Sequence, residues 1–217
     1  MKIILFVGYL VVFCPLVFAQ KKGIIRYTVT AEKMDTSMDA TMSAALLKKS
    51  EFSFSFKNKR RERVHLKAGT FFEFVTIFDY RKGSFLRLTD DQKIKVSNEG
   101  YIVVPSDSIK YSKTIYTLLE DTMTIMGYKC YKAITETKFG QLTCWYTKEI
   151  KHNFKGIDFI QIDVPGMPLY FMSNSDKVML TFSVKSINKL SRQDRKNLQY
   201  KTPEGYILGP SSIKKRI

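Results

Sequence analysis

EFSFSFKNKRRERVHL, residues 51–66, decides the fold. Phe52, Phe54 and Phe56 alternate with Ser53 and Ser55, a period of two that puts three rings on one face of a strand. Asn58-Lys59 has turn chemistry, and Arg60–Leu66 then returns as the antiparallel partner. Next, FFEFVTIF (71–78) is apolar on both sides, with Phe72, Phe74 and Phe78 on one face and Phe71, Val75 and Ile77 on the other. That pattern predicts a central strand covered twice, or one lining a cavity.

Further short strands are expected at 85–88, 93–96, 101–104, 109–119, 127–136, 141–148, 169–172 and 178–187, with Gly83, Gly100 and Gly140 at turns. Met38, Met42, Ala45 and Leu46 recur at helical spacing behind a cap at Asp35 or Thr36, and a second short helix fits 191–198. The fold class is therefore mainly β: a curved antiparallel sheet or open barrel with one or two short helices.

The chain has 217 residues and a net charge of +16. It opens MKIILFVGYLVVFCPLVFAQ, a lysine and an apolar run followed by Val17-Phe18-Ala19, which reads as a signal peptide over residues 1–19. The apolar run is short for a span of ~20 residues, and no later segment offers a transmembrane helix. Phe13 and Pro15 beside Cys14 argue against a lipid-attachment site. Residues 20–217 then form a single β-rich domain, exported to the periplasm or cell envelope, with charge +15 because Lys2 is the one charged residue removed. Such a balance attracts polyanions, and for an exported protein these are headgroups or acidic glycans rather than nucleic acid. KNKRRER (57–63) is the densest basic run. Lys57, Lys59, Arg60, Arg61 and Arg63 are the candidate contacts to an anionic surface.

Chemistry-bearing constellations are sparse. Past the leader there are two cysteines, Cys130 and Cys144, inside GYKCYKAITETKFGQLTCWYT (127–147). A hairpin turning at Phe139-Gly140 would offset them by about four residues, ~13 Å along a strand, whereas a turn centred on Thr137 would bring them opposite, within disulfide reach. A bond and two buried thiols stand as equal alternatives. A zinc site would need both cysteines with His65 and His152, the only histidines, at spacings no zinc motif uses. Asp90-Asp91 reads as a surface turn rather than a calcium loop. Glu73 and Asp79 share one face of the 71–78 strand, the weak trace of a carboxylate pair. No nucleophile or phosphate-loop motif is found.

GYKCYKA (127–133), WYTKEI (145–150), VPGMPLYF (164–171) and the closing TPEGY (202–206) resemble the spaced signature of the GLPGLI family and its sister families of exported bacterial envelope proteins. Only Pro165-Gly166 matches the hexapeptide that names the family. The resemblance implies export and a β-rich fold similar to the curved sheet of lipoprotein carriers. It brings no catalytic residues, and Gly127, Tyr128, Trp145, Pro165 and Gly166 are expected to serve the structure.

The resulting expectation is a non-catalytic protein without cofactor or metal. It binds a lipid-like or apolar ligand on a face built from Met38, Met42, Phe72, Phe74 and Phe78. The alternative is an interaction or scaffold protein of the envelope with a filled core. A hydrolase of envelope polymers is the least supported reading.

Overall fold

The structure is a computed structural model that describes residues 21–48, 50–58, 60–70, 72–91, 94–101, 116–137, 140–152, 162 and 164–209. The signal-peptide reading therefore lies outside the described residues, as do Lys59 and Phe71.

Among the described residues, twelve strands form one open sheet. They are β1 (Lys22–Lys33), β2 (Ser50–Lys57), β3 (Arg61–Ala68), β4 (Phe72–Asp79), β5 (Ser84–Asp90), β6 (Lys95–Tyr101), β7 (Thr117–Ile125), β8 (Tyr128–Thr137), β9 (Gly140–Thr147), β10 (Met167–Asn174), β11 (Val178–Asn188) and β12 (Ile207–Leu208). The spatial order β12-β6-β5-β4-β3-β2-β1-β11-β10-β9-β8-β7 contains two meanders joined at β1, which pairs with β2 on one side and β11 on the other. All neighbours are antiparallel except β12, which runs parallel to β6. The edges are β12 and β7, so the sheet does not close into a barrel.

The register turns alternation into two faces. Phe52 lies opposite Leu66, which lies opposite Phe74, and Phe54 lies opposite Val64. On this front face they join Ile25, Tyr27, Val29, Leu142, Cys144, Met167, Leu169, Phe171 and Phe182 in the main core. Phe171 stacks on Phe182 at 4.3 Å, Phe52 meets both edge-on, and the buried Tyr27 hydroxyl donates to the Pro168 carbonyl at 2.7 Å. Phe52, Phe54 and Phe56 thus complete the core. Helix α1 (Met38–Leu47) packs chiefly on β1 and β11, with β2 and β3 standing between it and β4.

The back face explains why β4 is apolar on both sides. Val75, Ile77, Leu86 and Leu88 form a second cluster, covered by Tyr200 and Tyr206 from the C-terminal segment. That segment crosses the sheet as a strap. It starts at α2 (Arg192–Asn197), where Ser191 and Asp194 make a reciprocal capping box. Asp194 pairs with Arg26 of β1 at 3.6 Å, the Tyr200 hydroxyl donates to the Phe85 carbonyl at 2.8 Å, and the strap ends as β12 on β6.

Several boundaries differ from the sequence reading. Residues 95–101 make a single strand that includes Gly100 opposite Phe85, because the ladder to β5 continues through the glycine. Of the strand expected at 109–119, residues 109–115 lie outside the described residues, and Thr117–Leu119 open β7, which runs on to Ile125. A two-residue turn, Met126 (φ 52°) and Gly127 (φ 82°), then enters β8. Two successive positive φ values mark the turn type that matches strand twist, and glycine adopts its second position without strain.

Candidate functional site

The cysteines lie on neighbouring strands but not opposite each other. Cys144 faces Ala133, three positions from Cys130, so the hairpin register is neither of the two the sequence suggested. Both thiols are free and buried. Burial pushes Cys130 up to about 11 and Cys144 higher still, opposite to what a nucleophile needs. His65 and His152 sit on opposite faces, and no group of metal-ligating side chains forms among the described residues.

The signature residues are placed by backbone demands. Gly127 closes the β7–β8 turn. Gly166 comes so close to the Thr147 carbonyl that a Cβ would collide with it. Pro165 is exposed, Tyr128 is half-buried against the core, and half-buried Trp145 has the Lys132 ammonium 5.8 Å from its ring. These needs recur in many β-sheets, which is why the short motifs point to no single family.

Of the expected apolar face, Phe72, Phe74 and Phe78 share one side of β4, while α1 packs chiefly on β1 and β11. Met38 on α1 is 78% exposed and belongs to the β1–β11 region, the Met42 side chain is outside the described residues, and Phe72, Phe74 and Phe78 lie on β4. Phe74 and Phe78 pack against the main core, Phe72 stacks on Phe74 at 6.4 Å, and the Arg87 guanidinium lies 5.3 Å from the Phe74 ring.

Glu73 and Asp79 share a face but sit six residues apart, ~20 Å along β4, and Asp79 is buried against Arg61 at 3.1 Å. The cross-strand neighbour of Glu73 is instead Asp90. Within KNKRRER, Glu62 is buried and turns to the front face. Its Oε1 lies 2.7 Å from His152 Nε2, its Oε2 accepts from the Tyr80 hydroxyl at 2.8 Å, and His152 stacks on Phe56 at 4.6 Å. Burial, and then the Glu62 charge, push the Tyr80 hydroxyl far up. Glu62 and His152 are buried and Tyr80 is half-buried, and the cluster ties β3 to the segments following β4 and β9.

Open recesses lie on the back face. A groove of about 460 Å³ runs between β3–β5 and the strap. Its floor is Val75, Ile77 and Leu88. Arg63 and Glu73 stand on the sheet side, and Lys196, Asn197, Gln199, Lys201 and Tyr206 on the strap side. His65 Nε2 is 2.8 Å from Glu73 Oε1, and burial beside Arg63 lowers the His65 pKa, favouring its neutral form. Asp90 is held by Lys95 at 3.0 Å. Burial and the charges of Asp90 and Glu73 raise the Tyr206 pKa, keeping its phenol protonated. An apolar floor, an aromatic ring, a carboxylate, a guanidinium and amides suit a ligand that is greasy on its ring faces and hydroxylated at its rim. Sequence reasoning singled out Glu73 and Arg63 for other roles and missed the groove. Its other wall comes from residues more than a hundred positions away, and the signals there were the short helix expected at 191–198 and TPEGY.

Beside the groove lies a basic rim. Lys57 and Arg61 are directly opposed, and Arg63 faces Ser55 on the same side of the sheet. Lys57, Arg60 and Arg61 line a cleft of about 170 Å³ together with Arg81, Arg195 and Leu198. Lys21, Asn58, Arg60 and Lys151 line a neighbouring one of about 530 Å³.

Comparison with known proteins overturns the earlier family resemblance. The family model described as N-glycanase peptide, N-terminal domain matches residues 76–203, more than half of the chain. Two solved structures of PNGF-II share the fold. The one in space group C2 is 14% identical, with TM-score 0.53 over 86% of this chain, and the one in P21 is 14% identical, with TM-score 0.54 over 89%. The chain spans about a third of their length, 30% and 32%. No curated protein matches by sequence. The GLPGLI assignment, the lipid-binding reading and the expectation of a non-catalytic protein are therefore corrected together, since the family found is an enzyme-related one. This chain belongs to the family of N-glycanase peptide N-terminal domains.

Proposed function

We propose that this chain is an exported component of N-glycanase chemistry and that its back-face groove engages the carbohydrate of the glycoprotein substrate. Family membership supplies the reaction class, and the apolar leader supports export. The observation that carries the sugar-binding reading is the groove lining. Tyr206 and the Val75-Ile77-Leu88 floor offer apolar surface to pyranose ring faces. Glu73 and Arg63 offer a hydroxyl acceptor and a forked donor at its edge. The volume of about 460 Å³ is within the range of small-ligand sites.

Titrating the purified chain with a neutral chitobiosyl-asparagine peptide, followed by calorimetry and amide chemical shifts, tests this. Binding should perturb residues of β3–β5 and the strap, and Glu73→Gln and Tyr206→Ala should each weaken it about tenfold, the loss of one well-placed contact. Shifts confined to other regions, or no binding at millimolar ligand, would refute it. A glycan-release assay on denatured glycoprotein, with and without these variants, reads whether the groove serves turnover.

A further inference from the structure

The rim next to the groove concentrates positive charge in a recess rather than spreading it over a surface. Lys57 and Arg61 face each other across the β2–β3 ladder, an arrangement that costs stability unless a negative partner intervenes. Asp79 satisfies Arg61 at 3.1 Å, and its side chain is only 2% exposed. Arg60, Arg81 and Arg195 then bring three more guanidinium groups to the same cleft, from the β2–β3 turn, the β4–β5 turn and α2. None of these three makes an ion pair among the described residues. Guanidinium groups are planar forks suited to bidentate recognition of an oxyanion, and their convergence in a cleft of about 170 Å³ fits a small tetrahedral or planar anion better than a flat bilayer.

The cleft and the groove share one face. Arg61 in the cleft and Arg63 in the groove are two residues apart on β3, ~6.6 Å. Arg195 and Lys196 are consecutive on α2, one lining each recess. A sugar in the groove would therefore hold a ring substituent within reach of the arginines. Resting on the groove reading above, we propose that the cleft is an oxyanion subsite, and that the preferred glycans carry a sulfate, phosphate or carboxylate seated among Lys57, Arg60, Arg61, Arg81 and Arg195.

The test compares chitotriose with its 6-O-sulfated, 6-O-phosphorylated and uronic-acid counterparts by calorimetry at low and high salt, with phosphatidylglycerol vesicles as a competitor. Arg60 and Arg81 are exposed, so Arg60→Ala and Arg81→Ala should leave the fold intact, checked by near-ultraviolet circular dichroism. The expected result is at least tenfold tighter binding of one or more charged sugars, a gain that shrinks as salt screens it and that falls about tenfold in each variant while neutral chitotriose is unaffected. Ranking of the three charged sugars identifies the substituent. Equal affinity for neutral and charged sugars would overturn the subsite and leave the groove reading standing. Charged sugar bound through the arginines, with neutral sugar not bound at all, would support the subsite and sink the groove. Vesicles bound through the same arginines, with charged sugar failing to compete, would overturn the proposal in favour of a membrane contact.

Discussion

Replacing Glu62 with alanine should be among the most damaging single changes in this chain, although the residue sits in the densest basic run of the sequence. Glu62 is 5% exposed, and its two oxygens are separately engaged, one by His152 Nε2 at 2.7 Å and one by the Tyr80 hydroxyl at 2.8 Å. Hydrogen bonds to a charged group contribute ~1.5–3 kcal/mol each. Removing one partner of a buried pair typically costs ~3–5 kcal/mol because the other is left unsatisfied. We therefore expect Glu62→Ala to destabilise by ~3–5 kcal/mol. At ~2–4 °C per kcal/mol for a chain of this size, that is a fall in Tm of ~6–20 °C. Urea unfolding followed by tryptophan fluorescence would measure it, since Trp145 is the only tryptophan. Glu62→Gln keeps an acceptor for Tyr80 and should cost less. A cycle with Tyr80→Phe should show a coupling energy of ~0.5–3 kcal/mol. Exposed Glu51 serves as control, its alanine variant staying within ~0.5 kcal/mol. A loss below ~1 kcal/mol for Glu62→Ala, or strict additivity with Tyr80→Phe, would refute the buried cluster.

Three further outcomes follow from the geometry. Phe171→Ala should cost ~3–5 kcal/mol in the same assay, because Phe171 is fully buried and stacked on Phe182. Gly166→Ala should cost more than Gly127→Ala in urea titrations, because its Cβ meets the fixed Thr147 carbonyl while the space beside Gly127 is open and only its positive φ penalises a side chain. Cys130 titrates at about 11 in the folded chain against an ordinary value near 9, so folding favours the neutral thiol. Its contribution is complete below pH ~9 and lost as pH rises towards 11, and Cys144 acts in the same direction. Denaturation midpoints should fall across that window, and both thiols should resist a disulfide reagent at pH 8 until the chain unfolds. Rapid native labelling of either cysteine would contradict this.

Period-two alternation along residues 51–79, a turn at Asn58 and strands at later apolar stretches are local properties, so the sequence by itself determined a β-rich antiparallel fold, as a curved sheet or open barrel, with Phe52, Phe54 and Phe56 on one face of a strand. It also showed that β4 is apolar on both sides, as a strand covered twice or one lining a cavity would be. What covers its back face was decided by tertiary structure, because Tyr200 and Tyr206 reach Val75, Ile77, Leu86 and Leu88 only once the strap docks and β12 joins β6. The same holds for the site. Charge in KNKRRER was legible, but the collection of Lys57, Arg61 and Arg63 on one face while Glu62 turns inward depends on strand register. So does the exchange of Asp79 for Asp90 as the neighbour of Glu73. A one-residue slip sends every side chain to the opposite face, and register is fixed by packing across the whole sheet rather than by any one strand.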